Sequence, residues 1–169
     1  GYYRIKKILE GQNWDKDLRS PLTEVGVKVK EGNYIIAIDG QPVNQVKNIY
    51  ELLVNKAERQ VTLKVNFQPA EKGAWEVVIV PVERENSLYY YNWVKKNAEI
   101  VAKATDDRVA YIHVPDMGVP GLNEFVKHFY PQVNKKALII DVRGNGGGNV
   151  SPMLIERLLR QAAFIEVAR

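Results

Sequence analysis

The sequence contains no cysteine and few of the other residues that build reactive or metal-binding sites. Without cysteine there is no disulfide, no thiolate nucleophile and no cysteine zinc site. Two histidines, His113 and His128, are too few for a histidine metal centre, so we expect no metal and no cofactor. The three serines are Ser20, Ser87 and Ser151, and none lies in the G-x-S-x-G turn that exposes a serine nucleophile.

The chain also lacks a long apolar run and a block of like charge. No stretch approaches the roughly 20 apolar residues of a membrane span, so we expect no membrane segment. The net charge is +4, but Lys and Arg alternate with acidic residues and form no basic stripe. We therefore expect no nucleic-acid partner. With 169 residues, 46% of them hydrophobic, the chain is long enough for one compact domain or two small ones.

The first half of the sequence is typical of a β-rich unit. Alternating or continuous apolar residues predict strands over residues 2–9, 34–38, 61–67 and 75–82. The pair Asp39-Gly40 predicts a tight turn after the second of these strands. Apolar residues at i, i+3 and i+4, from Ile49 to Leu53, predict a helix over residues 48–56.

The second half changes to a helical period and then alternates strands and helices. A linking helix is predicted over residues 86–105, followed by a strand, a helix and the apolar strand "ALIIDV" of a buried parallel sheet. Four glycines follow, and then Ser151 is predicted to cap a helix whose first residue is Pro152. The buried face of that helix is predicted to consist of Leu154, Ile155, Leu158, Leu159 and Ala162.

The glycine-rich stretch "RGNGGGNV" lies between a strand and a helix, where unpaired N–H groups and a helix dipole favour negative charge. A nucleotide phosphate loop fits poorly, because Asn149 stands where G-x-G-x-x-G needs a small residue and no P-loop Lys-Ser/Thr pair is present. A packing turn would need only one or two glycines. An oxyanion hole, in which a glycine N–H stabilises a tetrahedral intermediate, explains the cluster best.

Several polar residues near these strand ends have both a structural and a functional interpretation. His113 is expected in the core and His128 on a helix surface. Asp141 and Arg143 form either a structural pair or, with Asn145, part of a substrate cleft. Asp116 either lines the same cleft or belongs to a turn after Pro115.

The strings "YIHVPDMGVPGLNEFVKHFY" and "ALIIDVRGNGGGNVSPMLIERL" resemble the catalytic core of the tricorn branch of the C-terminal processing serine peptidases. The string "SPLTEVGVKVKEGNYIIAIDGQPV" resembles the PDZ domain that precedes this core, in permuted strand order. The resemblance implies an α+β fold with three parts. These are a PDZ-like peptide-binding domain (1–84), a linking helix (85–105) and the truncated N-terminal part of a crotonase- and Clp-like catalytic core with a partial βαβ unit (106–169).

The same resemblance implies a segment of a serine endopeptidase that acts on peptides or unfolded chains. The family's nucleophile and base have no counterpart here, so the segment is expected to be inactive by itself. One oxyanion N–H, unpaired within the fold, is expected from Gly146 or Gly147. The expected cleft-lining residues are Asp116, Arg143, Asn145 and Gly148, and the expected peptide-binding residues are Tyr2, Tyr3, Arg4, Ile5, Ile49 and Leu53.

The compartment, the oligomeric state and the function stay open at this stage. The resemblance favours the cytoplasm and leaves the periplasm open, and it allows a homo-oligomeric parent protein. The alternative function is a peptide-binding adaptor without catalysis. A crotonase-like acyl-CoA enzyme would share the oxyanion chemistry but would not explain the PDZ half.

Overall fold

The computed structural model of the protein describes residues 1–160 and divides the chain into two compact units, Gly1–Trp93 and Val94–Arg169. The division falls inside a long helix, and each unit is described by itself. Within the described residues, no helix combines the length and the apolar character needed to cross a bilayer.

The first unit is an antiparallel sheet with short 3-10 helices between its strands. The strands are β1 (Tyr3–Arg4), β2 (Tyr34–Ile38), β3 (Gln41–Pro42), β4 (Val61–Asn66) and β5 (Trp75–Ile79). Their order is β1-β2-β4-β5, and β3 also pairs with β2. The 3-10 helices are Lys16–Leu18, Pro21–Thr23, Val43–Gln45 and Ile49–Leu53.

Strand β4 shows how this sheet makes its core. Val61, Leu63 and Val65 are buried, whereas Thr62 and Lys64 between them are only half-buried, because successive side chains of a strand point to opposite faces. The remaining members of the buried cluster are Ile5, Val29, Ile38, Val43 and Ile79. The α+β class predicted from the sequence is confirmed, and strand β2 has the predicted bounds.

Four elements of the first unit are shorter than predicted. Strands β4 and β5 end at Asn66 and Ile79 instead of at residues 67 and 82. The strand expected over residues 2–9 pairs only at Tyr3–Arg4, since Ile5 O already accepts from Gly32 N at a turn and the ladder ends there. The helix expected over residues 48–56 is a single 3-10 turn, Ile49–Leu53. Asn48 caps its start, but Val54 is extended and Asn55 has a φ of 58°, so the helix cannot continue.

The second unit contains a parallel strand pair covered by helices. Helix α1 (Asn86–Ala104) leads into β6 (Val109–His113), α2 (Val119–Phe129), β7 (Ala137–Asp141) and α3 (Ser151–Leu159), with a 3-10 turn at Tyr130–Gln132. Strands β6 and β7 run parallel, with Val109 opposite Ala137 and His113 opposite Asp141. Their carboxyl ends therefore lie side by side, and the loops that follow them are neighbours.

The apolar strand β7 is only partly buried among the described residues. Leu138 and Ile140 pack against the core around Phe125, but Ile139 is 43% exposed. A continuous apolar strand is buried on both sides only where both faces of its sheet are covered. The described residues cover one face, so the prediction of a fully buried strand does not hold for them.

Helix α3 starts differently from the prediction. Val150 is the N-cap residue, its carbonyl accepts from Met153 N and Leu154 N, and Ser151 is the first helical residue without a side-chain cap. The Ser151 cap was therefore wrong by one position. Of the predicted buried face, Leu154 is buried, whereas Ile155, Leu158 and Leu159 are exposed and Ala162 lies outside the described residues.

Candidate active-site loop

The loops that follow β6 and β7 are held together by backbone hydrogen bonds. Met117 N donates to Gly147 O at 2.8 Å, and Asn149 N donates to Met117 O at 2.7 Å. Met117 and Gly148 thereby form a parallel bridge that continues the pairing of the two strands beyond their ends. The glycine stretch is thus fixed to the neighbouring loop along one side.

The four glycines have different conformational requirements. Gly144, Gly147 and Gly148 have φ values of 72°, 86° and 141°, in the region that side chains disfavour. A Cβ at Gly148 would also lie 2.2 Å from Met117 O. Gly146 has neither constraint, because its φ is ordinary and no atom lies within 4 Å of the position of its Cβ. Three glycines are therefore needed for the shape of the loop, and Gly146 is not.

Neither Gly146 nor Gly147 has the free N–H that was expected from the sequence. Gly146 N donates to Pro115 O at 3.4 Å, and Gly147 N donates to Asn145 Oδ1 at 2.8 Å. The N–H of Gly148 has no acceptor within residues 1–160, and this residue is exposed. The reason is the bridge to Met117, in which Gly147 O and Asn149 N make the hydrogen bonds. The N–H of Gly148, which lies between them, therefore points away from Met117. Among Gly146, Gly147 and Gly148, the N–H without an acceptor is therefore that of Gly148, which was expected only to line the cleft.

The entry to this loop is fixed by a buried carboxylate. Asp141, which is 8% exposed, accepts from Arg143 N at 3.0 Å and from Arg143 Nε at 2.9 Å, and Tyr111 donates its hydroxyl to Asp141 Oδ2 at 2.6 Å. The guanidinium of Arg143, with some help from Tyr111, holds the pKa of Asp141 far below its ordinary range. The same ion pair raises the pKa of Arg143. Burial, followed by the contact with Asp141, raises the pKa of Tyr111.

His113 also binds the entry of the loop. Its side chain is buried, and Nε2 lies 2.8 Å from Arg143 O. Because a carbonyl can only accept, Nε2 carries the hydrogen and donates. His113 therefore has the core position expected for it. His128 is half-exposed on α2, and its Nε2 lies 3.3 Å from Glu124 Oε2. This contact contributes most to the lowered pKa of Glu124.

Asp116 has a structural contact rather than an open position. Its Oδ1 accepts from Gly118 N, at the N-cap of α2, at 2.7 Å and from Gly121 N, in the first turn of α2, at 3.1 Å. Gly121 approaches so closely that a Cβ there would lie 1.8 Å from Asp116 O. This side chain caps α2, which favours the turn interpretation of Asp116 over the cleft interpretation.

The predicted peptide-binding residues divide into core and edge positions. Ile5 is in the core, and Tyr2, Ile49 and Leu53 pack against it half-buried. Tyr3 is exposed at the rim; its hydroxyl accepts from Ile49 N at 3.3 Å and so connects β1 to the 3-10 turn.

The backbone N–H of Arg4 points toward the unpaired edge of β1. Ile5 N donates to Asn33 O, toward β2, and backbone direction alternates along a strand, so the N–H of Arg4 points away from β2. Arg4 also borders a surface depression of about 380 Å³. Its lining consists of Arg4, Ile5, Lys6, Glu31 and Gly32.

Comparison with known proteins places both halves of the chain. Residues 1–84 match the family described as the tricorn protease PDZ domain, and residues 108–166 match peptidase family S41. The tricorn protease of Thermoplasma volcanium is 37% identical over 94% of this chain and 15% of its own length. The tricorn protease homolog of Saccharolobus solfataricus is 40% identical over 93% of this chain and 14% of its own. A crystal structure of the tricorn protease matches with a TM-score of 0.84 and 31% identity, over 99% of this chain and 16% of that one.

The fold and the two matches define a PDZ-like unit joined to the beginning of an S41 peptidase core. The chain belongs to the tricorn branch of this peptidase family, which confirms the resemblance seen in the sequence. It spans about 15% of the length of the Thermoplasma volcanium relative.

Sequence reasoning missed two features of this site. Tyr111 was not a candidate, although its position two residues before His113 on the same strand puts its side chain on the same face of the sheet. The second is that the N–H of Gly148 has no acceptor within residues 1–160; this follows from its bridge to Met117, and residue types alone do not predict that pairing.

Proposed function

We propose that this chain is the docking and oxyanion-stabilising segment of a serine endopeptidase that cleaves peptides or unfolded chains. The names of the relatives, tricorn protease and tricorn protease homolog, support peptide hydrolysis by the complete protein. The segment contributes an edge strand of the PDZ-like sheet, to which the substrate binds, and one backbone N–H, which stabilises the oxyanion.

The observation that carries the proposal is the N–H of Gly148, which has no acceptor within residues 1–160, whereas the N–H groups of Gly146 and Gly147 are both bonded. An oxyanion donor must be available in the resting enzyme and fixed in direction, because its effect depends on preorganisation. The Met117 bridge provides the fixation, and the nearby start of α3 adds the positive end of a helix dipole. One such donor accounts for about 2.7 to 4 kcal/mol of transition-state stabilisation.

The nucleophile and the general base come from elsewhere in the complete protein. Ser20 is buried and its hydroxyl donates to Leu9 O at 2.6 Å, and Ser151 is the first residue of α3. A serine nucleophile needs a base within hydrogen-bond reach, and the chain has only two histidines, one in the core and one paired with Glu124. We therefore propose that the isolated segment is inactive.

The experiment that tests the proposal is a structure of the complete protein with a peptide aldehyde or peptidyl chloromethyl ketone bound to its nucleophile. We expect the oxygen of the adduct about 2.7 to 3.1 Å from Gly148 N. An adduct whose oxygen binds Gly146 N, Gly147 N or no part of this loop would overturn the assignment of Gly148.

A second experiment addresses catalysis itself. A fluorophosphonate probe should label the complete protein and leave the 169-residue segment unlabelled. Stoichiometric labelling of Ser20, Ser87 or Ser151 would contradict the proposal that the segment is inactive.

The second candidate function is a peptide-binding adaptor without catalysis. The outward N–H of Arg4 on an edge strand favours it, because extended peptides add to such edges as a further strand. Peptide binding by a complete protein that neither labels with fluorophosphonate nor hydrolyses peptides would select this candidate.

A further inference from the structure

Asn145 connects three parts of the glycine loop and its surroundings. Its side-chain Nδ2 donates to Val114 O, at the end of β6, at 3.0 Å. Its Oδ1 accepts from Gly147 N at 2.8 Å, and its backbone N donates to Val142 O at 3.0 Å. One half-buried side chain thus joins the end of the neighbouring strand to the Gly146–Gly147 peptide, which is adjacent to the peptide that contains the Gly148 N–H.

These contacts determine the direction of the Gly148 donor. The N–H of Gly147 and the carbonyl of Gly147 are both occupied, by Asn145 Oδ1 and by Met117 N. The carbonyl of Gly147 and the N–H of Gly148 belong to one planar peptide group. In a trans peptide group the N–H points opposite to the C=O. The bond from Met117 N to the Gly147 carbonyl therefore also sets the direction of the Gly148 N–H.

Without Asn145 the loop would lose much of that constraint. Three of its glycines have positive φ, and glycine has the widest choice of backbone conformations of any residue. The Gly146 N–H makes only a long contact, 3.4 Å, with Pro115 O. The bond from Gly147 N to Asn145 is the shorter of the two donor contacts in this part of the loop.

We propose that Asn145 is a positioning residue, which holds the Gly146–Gly147 peptide and so, together with Met117 on the next peptide, orients Gly147 such that the Gly148 N–H points at the developing oxyanion. This inference rests on the proposed peptidase function, and it assigns to Asn145 a role that differs from lining the cleft. Asn145 does not touch the reacting atoms; it acts through the backbone of Gly147. An amide is required, because one side chain must both donate to Val114 O and accept from Gly147 N.

The test uses the complete protein with Asn145→Ala, Asn145→Asp and Asn149→Ala. Asn149 is the matched control: it is the same residue type in the same loop, and its side chain makes no hydrogen bond to any residue of the range 1–160. We expect Asn145→Ala to lower kcat by about tenfold to a hundredfold with KM changed less than about twofold, since a misplaced donor loses a transition-state contact. Asn145→Asp keeps the acceptor but loses the donor and adds a negative charge, so we expect an equal or larger loss. Asn149→Ala should resemble the unsubstituted protein.

Two further readouts separate positioning from general damage. The affinity for a peptide aldehyde, whose adduct carries the oxyanion, should fall by the same factor as kcat, while the affinity for a product peptide should stay unchanged. Hydrogen–deuterium exchange should speed up in residues 144–150 of Asn145→Ala and stay unchanged in β6 and β7. A normal kcat in Asn145→Ala, or an equal loss of affinity for aldehyde and product peptide, would overturn the inference about Asn145. Peptide hydrolysis by the unsubstituted protein would still support the proposed function in that case. Absence of hydrolysis by the unsubstituted protein would overturn both.

Discussion

Tyr111 donates its hydroxyl hydrogen to Asp141 at 2.6 Å, and so connects the two parallel strands at the point where β7 ends. The acceptor is a buried carboxylate that is also bound by Arg143 at the entry of the glycine loop. The position of this loop therefore depends on a contact between side chains that are 30 residues apart in the sequence.

Tyr111→Phe removes one donor from that buried carboxylate. We expect the second unit to lose about 1 to 3 kcal/mol of stability, because hydrogen bonds to charged groups are worth about that much. The free energy of opening of β6 and β7, measured by hydrogen exchange, checks it. Tyr89→Phe is the control, since Tyr89 is 61% exposed, and it should change the stability by less than about 0.5 kcal/mol. Equal effects of the two changes would contradict the role of the Tyr111 hydroxyl.

The lowered pKa of Asp141 makes stability depend on pH in acid. A carboxylate with a pKa below its ordinary value of 3.8 stabilises the folded state above that value, and this contribution is lost as the pH falls toward the folded pKa. We expect the stability of the second unit to fall from about pH 5 to about pH 3, and the fall to be smaller in Asp141→Asn, whose side chain cannot titrate. Hydrogen exchange or urea unfolding at each pH measures it. Parallel pH curves for the two proteins would refute the assignment.

The glycine loop offers a matched pair of substitutions. Gly148→Ala places a Cβ against Met117 O at a φ of 141°, and we expect it to cost more than about 1 kcal/mol. Gly146→Ala meets no atom within 4 Å at an ordinary φ, so we expect no loss and a slight gain from the less flexible unfolded chain. Opening of residues 142–150, followed by hydrogen exchange, distinguishes them. The opposite order of the two effects would show that the loop has another conformation.

Asp116 provides a test of helix capping. Asp116→Ala leaves Gly118 N and Gly121 N without their acceptor, and we expect a loss of about 1 kcal/mol, seen as faster exchange at the start of α2. Asp116→Asn keeps an acceptor oxygen and should retain most of the protection. If both variants exchange equally fast, the negative charge rather than the hydrogen bonds stabilises this helix start.

The edge strand β1 can be tested with a proline. The only backbone group that Arg4→Pro removes is an N–H that points away from β2, so the variant should keep the sheet folded while abolishing strand addition by a peptide. Arg4→Ala removes the charge and keeps the N–H, and should still bind. Amide shifts in a titration with extended peptides measure both. Binding by the proline variant would place the peptide elsewhere.

The sequence by itself determined the fold class, the family and most of the regular elements. Strand β2 and the parallel pairing of β6 with β7 follow from apolar periodicity, which reports which side chains avoid water. The glycine cluster also indicated a loop with unusual backbone angles, and three of its members have angles that other residues disfavour. Periodicity did not predict the type and length of the helix at residues 48–56. The i+3 and i+4 spacing of Leu52 and Leu53 from Ile49 fits a short 3-10 helix as well as an α-helix.

Tertiary structure alone decided which groups each residue of the loop contacts. Whether an N–H is open depends on which strand lies beside it, and the bridge between Met117 and Gly148 exposes the donor of Gly148 rather than those of Gly146 or Gly147. The roles of Tyr111 and Asn145 likewise depend on partners 30 and 31 residues away, Asp141 and Val114. A sequence shows the types of such residues, but hydrogen bonds depend on distance and direction, which are set only when the two strands pair.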